Sequence, residues 1–184
     1  MAHRRRARDL RKTAIHEAGH AVIAQVLEIK PRSASIVGDE TSNTKGRVLT
    51  TAARWLRPDG EVDGRAEIRL HREIMVCLAG VTAERRFTGR NSHVGASHDY
   101  AIAADLAIYA TTCIEETNAL LKWLGIRTES LVSRHWRLIE GVADALLATN
   151  TLNAAQITAA IRKAAGWSDA DSAFGIAAPS KPKR

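Results

Sequence analysis

Six residues, Ile15-His16-Glu17-Ala18-Gly19-His20, set the tightest constraint on how this chain can fold. Ile15, Ala18, Val22 and Val26 recur at helical spacing among good helix formers, which predicts a helix from Ala7 to Glu28, ended by Pro31. Four residues advance a helix by about 400°, so His16 and His20 stand about 40° apart on one face, one turn above the other. Two imidazoles so placed can hold one zinc ion. Glu17 lies about 60° round the helix from His20. A carboxylate there reaches a water on the metal without being a ligand, and can take up a proton and return it to a leaving amine. With seven His and eleven Glu in 184 residues, chance produces this H-E-x-x-H pattern only about 0.016 times per chain.

A hydrolytic zinc site needs a third protein ligand and an open fourth position. The extended H-E-x-x-H-x-x-G-x-x-H pattern is excluded, because Ile23 and Val26 stand where its glycine and third histidine belong. The third ligand must come from further along the chain. The residues themselves leave four candidates: Glu84, His93, His98 and Asp99.

Composition bounds the setting of this helix. The chain has 184 residues, 45% apolar and 26% charged, which suits one ordinary domain. Aromatics make up only 4%, so the core must be built from Ala, Val, Ile and Leu; such small side chains favour closely packed helices over an aromatic-rich β-sandwich. Charges break every apolar run before the roughly 18 residues of a membrane helix, and the basic start leads into no signal-type apolar region. The expectation is a cytoplasmic protein with no membrane segment. Cys77 and Cys113 have no metal-ligand spacing and are expected as buried small hydrophobes.

The net charge of +7 is unevenly placed: residues 1–12 carry +5, residues 179–184 carry +3, and the stretch between sums to −1. A near-neutral body with two basic tails does not present a phosphate-binding face, so nucleic acid is not the expected partner. Residues 1–12 are expected as a basic arm, residues 13–165 as the folded domain, and residues 166–184 as a flexible tail. Within the domain, Ser33 to Val37 and Arg47 to Thr51 are expected as two modest strands. Asp59 or Asp63 can cap a helix from about Ala66 to Phe87. Ser97 can cap a long helix from His98 to Leu124 that Gly125 ends. A further helix is expected from Glu129 to Leu147, and Asn153 with Gln156 forms a capping-box start for a last helix to about Ala164.

Three blocks resemble a known family: Thr13 to Ala24 (TAIHEAGHAVIA), Leu78 to Gly89 (LAGVTAERRFTG) and Gly95 to Tyr100 (GASHDY). Their order and spacing resemble the peptidase domain of FtsH-type zinc metalloproteases. The A-x-x-L-L-x-x-N-x-L core within Ile139 to Ile161 resembles the C-terminal helices of the same domain. The resemblance implies a mainly α fold with a small β-sheet, a zincin-like α+β domain that binds Zn2+. It implies Asp99 as the third zinc ligand beside His16 and His20, with Glu17 as general base and acid. His98 stands where that family usually has Asn, and a residue one step along a helix points about 100° away, so His98 is expected at the surface. Glu84 could orient a ligand histidine through its other ring nitrogen, or be a salt-bridged helix carboxylate. The family binds its substrate as an added strand on a sheet edge, which would fall on Gly46, Arg47, Val48, Leu49 and Thr50, ending at Thr51.

The departures are as informative. No G-x-x-x-x-G-K-[ST] phosphate loop is present, since Gly38 to Lys45 lacks the second glycine before its lysine. The expectation is therefore a soluble zinc endopeptidase without its own ATPase, acting on unfolded protein or peptide or served by a separate ATPase unfoldase. The alternative is a catalytically inactive metal-binding module that binds peptides or regulates a related enzyme. The family assembles as rings, which leaves a homo-oligomer, a smaller assembly and a monomer all open.

Overall fold

The middle of the first helix is buried on nearly every side, from Ala14 to Ala24, because its residues are small or β-branched and can be enclosed by other helices at close range. This helix, α1, spans Ala2–Val26 and begins five residues before the expected Ala7. It is ended by its own backbone before Pro31 is reached. Glu28 adopts φ 63°, and the Glu28 and Ile29 amides donate to the Gln25 and Ala24 carbonyls at 3.2 and 2.8 Å. This is a Schellman ending, with buried Ile29 as its apolar anchor.

The computed structural model describes residues 2–37, 47–50, 64–90 and 96–167. After α1 come β1 (Pro31–Ser35), β2 (Arg47–Thr50), α2 (Gly64–Thr88), α3 (Ala96–Ile108), α4 (Ile114–Arg134), α5 (Trp136–Thr149), β3 (Thr151–Asn153) and α6 (Ala154–Ala165). The architecture is the expected one, mainly α with a small sheet and zincin-like. The sheet order is β2-β1-β3, with β1 antiparallel to both neighbours. β1 starts at Pro31, two residues before the expected Ser33, and an irregularity in register falls between Pro31 and Ser33. β3 was not legible in the sequence: three residues cannot show an alternation, and the open side of β1 is what recruits them.

The expected long helix from His98 to Leu124 is two helices. The α3 helix runs out in i→i+3 bonds, with the Tyr109 and Ala110 amides donating to Leu106 and Ala107 at 3.3 and 3.0 Å. The Glu116 carboxylate then accepts from the Thr112 amide and hydroxyl at 2.7 and 2.9 Å, securing the start of α4. Threonines make this break, so the usual Gly or Pro signal is missing. Gly125 lies inside α4 and ends nothing, and the expected helix from Glu129 is divided at His135, where α4 gives way to α5. Ser97 lies inside the first turn of α3 and so does not precede it as a cap. Cys77 is half-buried, but Cys113 is exposed at the start of α4, contrary to the burial expected of it. Asp59, Asp63, His93, Gly46, Thr51 and the tail beyond Trp167 lie outside the described residues.

The capping box of α6 forms as its sequence predicts. Asn153 Oδ1 accepts from the Gln156 amide at 3.0 Å, and Gln156 Oε1 accepts from the Asn153 amide at 2.8 Å. Asn153→Ala should cost about 1 kcal/mol, read as a lower urea midpoint with an unchanged m-value; an unchanged midpoint would refute the contribution assigned to this cap.

Two apolar clusters fill the interior. One joins α1 to α2, α5, α6 and the sheet through Ile15, Val22, Ile23, Val76, Val142, Leu146 and Ile157. The other joins α2 to α3 and α4 through Ile74, Leu78, Ala103, Ala107 and Leu124. Helix α2 belongs to both and so ties α1 to α3. Where α1 and α2 meet, Gly19 packs against Ala79 and Ala83 so closely that an added Cβ would stand 2.8 Å from the Ala83 Cβ and 2.9 Å from the Ala79 carbonyl oxygen. This close approach places one face of α1 directly on α2 at the level of the two histidines.

Candidate metal centre

Three helices each contribute to one cluster: α1 presents His16, Glu17 and His20, α2 presents Val76, Gly80 and Glu84, and α3 presents Asp99 in its first turn. His16 Nε2 and His20 Nε2 are 3.1 Å apart, and Asp99 Oδ2 lies 3.1 Å from the first and 3.3 Å from the second. In a tetrahedral site with metal–ligand bonds of about 2.0–2.1 Å, ligand atoms stand about 3.3 Å from one another. The three donor atoms thus form a triangle of the size that one face of such a site requires.

The remaining ring nitrogens settle which atoms carry protons. His20 Nδ1 lies 2.7 Å from the Val76 carbonyl oxygen, which can only accept, so Nδ1 carries the proton and donates it. His16 Nδ1 lies 3.3 Å from Glu84 Oε2 and carries its proton for the same reason. With those tautomers both Nε2 atoms present a lone pair toward the cluster, facing the buried Oδ2 of Asp99. Converging lone pairs and a carboxylate repel unless a cation sits among them. The donor set, two imidazoles and one carboxylate, suits zinc.

The electrostatics carry the same signature. Burial works against a charged imidazole at His16, yet Asp99, Glu84 and Glu17 outweigh it and push its pKa up to about 10. Burial would raise Asp99, but hydrogen bonding and charge from the two imidazoles hold its carboxyl well below the usual carboxylate range. Without a metal, the cluster makes up its missing positive charge with a proton. Glu17 is 4% exposed, and burial raises its pKa despite the opposing pull of His20 and His16. A buried carboxylate beside a metal site, with its pKa shifted toward neutrality, is suited to exchange protons there.

Of the four candidate third ligands, the structure brings Asp99 to the histidines. His98 is exposed on α3, as its helical phase required. Glu84 stays off the triangle and is clamped from α2 between two α1 side chains one turn apart: Oε1 lies 3.2 Å from Lys12 Nζ and Oε2 faces His16. The salt bridge expected of its sequence position is present, and its contact with His16 Nδ1 is the one an orienting carboxylate would make. Glu84→Ala should weaken zinc binding by about 10–100-fold, measured by competition with a chromophoric chelator; wild-type affinity in that variant would remove Glu84 from the site.

Sequence reasoning missed Gly80 and the Val76 carbonyl. A Cβ built on Gly80 would stand 2.2 Å from His20 Nε2 and 2.8 Å from His16 Nε2. The signal was present as the glycine in the Leu78 to Gly89 block, but only the packing of α2 on α1 gives it meaning. The Val76 carbonyl carries no signal, since any residue supplies one.

The triangle is the only grouping of three or more potential metal-ligating side chains among the described residues. No helix among them is long and apolar enough to cross a membrane. No protein-family model matches the chain, and no curated protein matches it. The geometry itself establishes a helical α+β domain carrying a His16-Glu17-x-x-His20 and Asp99 cluster, arranged in the manner of zincin-type metallopeptidases.

Proposed function

We propose that this chain is a zinc-dependent endopeptidase of the FtsH type, with residues 13–165 as its peptidase domain, flanked by a basic arm and a C-terminal tail. The observation that carries the reading is the triangle of His16, His20 and Asp99 donor atoms with a buried Glu17 on the same helix. His16, His20 and Asp99 would hold the ion. Bound zinc polarises the scissile carbonyl and makes water acidic enough to give a nucleophile at neutral pH. Glu17 accepts that proton on its carboxylate and later delivers it to the departing amine nitrogen. Glu84 and the Val76 carbonyl keep the two imidazole rings turned with Nε2 inward.

The substrate is an extended peptide that adds to the sheet beside β2, the edge strand of the order β2-β1-β3 among the described residues. Its backbone pairs with Arg47, Val48, Leu49 and Thr50; Gly46, expected to share this role, lies outside the described residues. Backbone pairing makes little demand on side chains, so specificity is broad and directed to unfolded protein. Such an enzyme, lacking a phosphate loop in this chain, works on accessible segments in the cytoplasm or receives them from a separate ATPase.

The test is metal analysis of the purified chain followed by incubation with a fluorescently labelled unfolded protein. About one zinc per chain with chelator-sensitive cleavage is the expected result. Zinc without cleavage of any unfolded substrate would overturn the peptidase reading in favour of a metal-stabilised peptide-binding module. No zinc would overturn both.

A further inference from the structure

Two glycines lie at the contact between α1 and α2, and they meet different things. The Cβ that Gly19 lacks would strike the α2 backbone, at the carbonyl of Ala79, and the Ala83 side chain. The Cβ that Gly80 lacks would strike only imidazole among its three nearest atoms: His20 Nε2 at 2.2 Å, His20 Cδ2 at 2.7 Å and His16 Nε2 at 2.8 Å. The His20 ring cannot swing aside cheaply, because its Nδ1 is tied to the Val76 carbonyl one turn earlier on the same α2 helix. Glycine in a helix interior costs roughly 1 kcal/mol relative to alanine, so a helical glycine whose missing methyl would first meet the two imidazole rings calls for a reason beyond folding.

We propose that Gly80 is a positioning residue of the metal centre: its bare backbone is the floor on which the two Nε2 atoms converge, and any side chain there forces the His20 ring out of the ligand triangle. This rests on the zinc reading of the cluster. Gly19, by contrast, serves the close approach of the two helices. The two glycines are therefore separable, one governing metal and the other stability.

The experiment compares full-length wild type, Gly80→Ala, Gly19→Ala and the double variant Gly80→Ala/His20→Ala. Zinc content is read by metal analysis, and melting temperature is read in chelator by circular dichroism. Gly80→Ala is expected to lose at least nine-tenths of its zinc. Gly19→Ala is expected to melt at a lower temperature but to load zinc while folded. If Gly80→Ala is itself destabilised, removing the His20 imidazole in the double variant should raise the melting temperature above that of Gly80→Ala, because the His20 ring is what the new methyl would meet most closely.

Zinc retained by Gly80→Ala at the wild-type level would overturn the proposal while leaving the metal centre standing. A double variant as unstable as, or less stable than, a destabilised Gly80→Ala would also overturn it, by placing the need for glycine in backbone packing. A wild type that binds no zinc would overturn the metal reading, and this inference with it.

Discussion

Glu17→Gln is expected to abolish cleavage while leaving zinc bound at about one ion per chain. Glutamine preserves the size of the side chain and removes its capacity to take up a proton, and general acid–base catalysis of this kind contributes about 10²–10⁴-fold to rate. The variant should therefore lose at least about 10²-fold in kcat with unchanged zinc affinity, since the geometry places His16, His20 and Asp99 at the triangle and leaves Glu17 outside it. Persistent cleavage at the wild-type rate would remove Glu17 from the reaction. The same variant makes a second prediction about stability. Burial raises the Glu17 pKa, so in the metal-free protein burying this carboxyl group costs stability at neutral pH relative to the unfolded chain. Metal-free Glu17→Gln should accordingly melt above metal-free wild type at pH 7. Below the ordinary glutamate value of 4.5, the carboxyl is protonated in both folded and unfolded chains, so the difference should vanish there. Equal melting temperatures at pH 7 would contradict the burial cost assigned to this carboxylate.

Asp99→Ala is expected to lose zinc. Two histidines one turn apart on α1 hold an ion from one side only, and Asp99 supplies the third corner from a different helix. Its removal should weaken binding by more than the roughly 10–100-fold that the loss of an outer partner costs. Calorimetric or chelator-competition titration of the purified variant measures this. Wild-type affinity in Asp99→Ala would show that the third ligand is another residue. His98→Ala makes the useful contrast: His98 is exposed on α3, about 100° round the helix from Asp99, and its removal should leave zinc binding unchanged.

Much of the site was legible in the residues before any packing was known. The i, i+4 spacing of His16 and His20 within a helical apolar repeat fixes their shared face by helix geometry alone, and Glu17 follows from the same arithmetic. The capping box at Asn153 and Gln156 was legible for the same reason, because both partners lie within four residues. The division of the helix after Ile108 was not, because threonines and the Glu116 carboxylate made the break without glycine or proline. Gly125 gave a false stop: it lies within α4, where a glycine costs a helix about 1 kcal/mol and packing of Leu124 and Thr128 outweighs it.

The sequence by itself determined the parts of this protein that depend on short spacings: the histidine pair, the phase of Glu17, the capping box of α6, and an interior of small aliphatic residues. Spacing left Glu84, His93, His98 and Asp99 open as the third corner and the family resemblance implied Asp99; its approach to the two histidines is set by the tertiary structure, where α2, packed in both apolar clusters, holds α3 beside α1. Tertiary structure also decided that β3 joins β1, that the Val76 carbonyl fixes the His20 proton, and that Gly80 must carry no side chain. Each of these depends on the distance between residues remote in sequence. Helical periodicity carries angle and rise along one element and says nothing of how far apart two elements settle; that distance is set by the side chains packed between them.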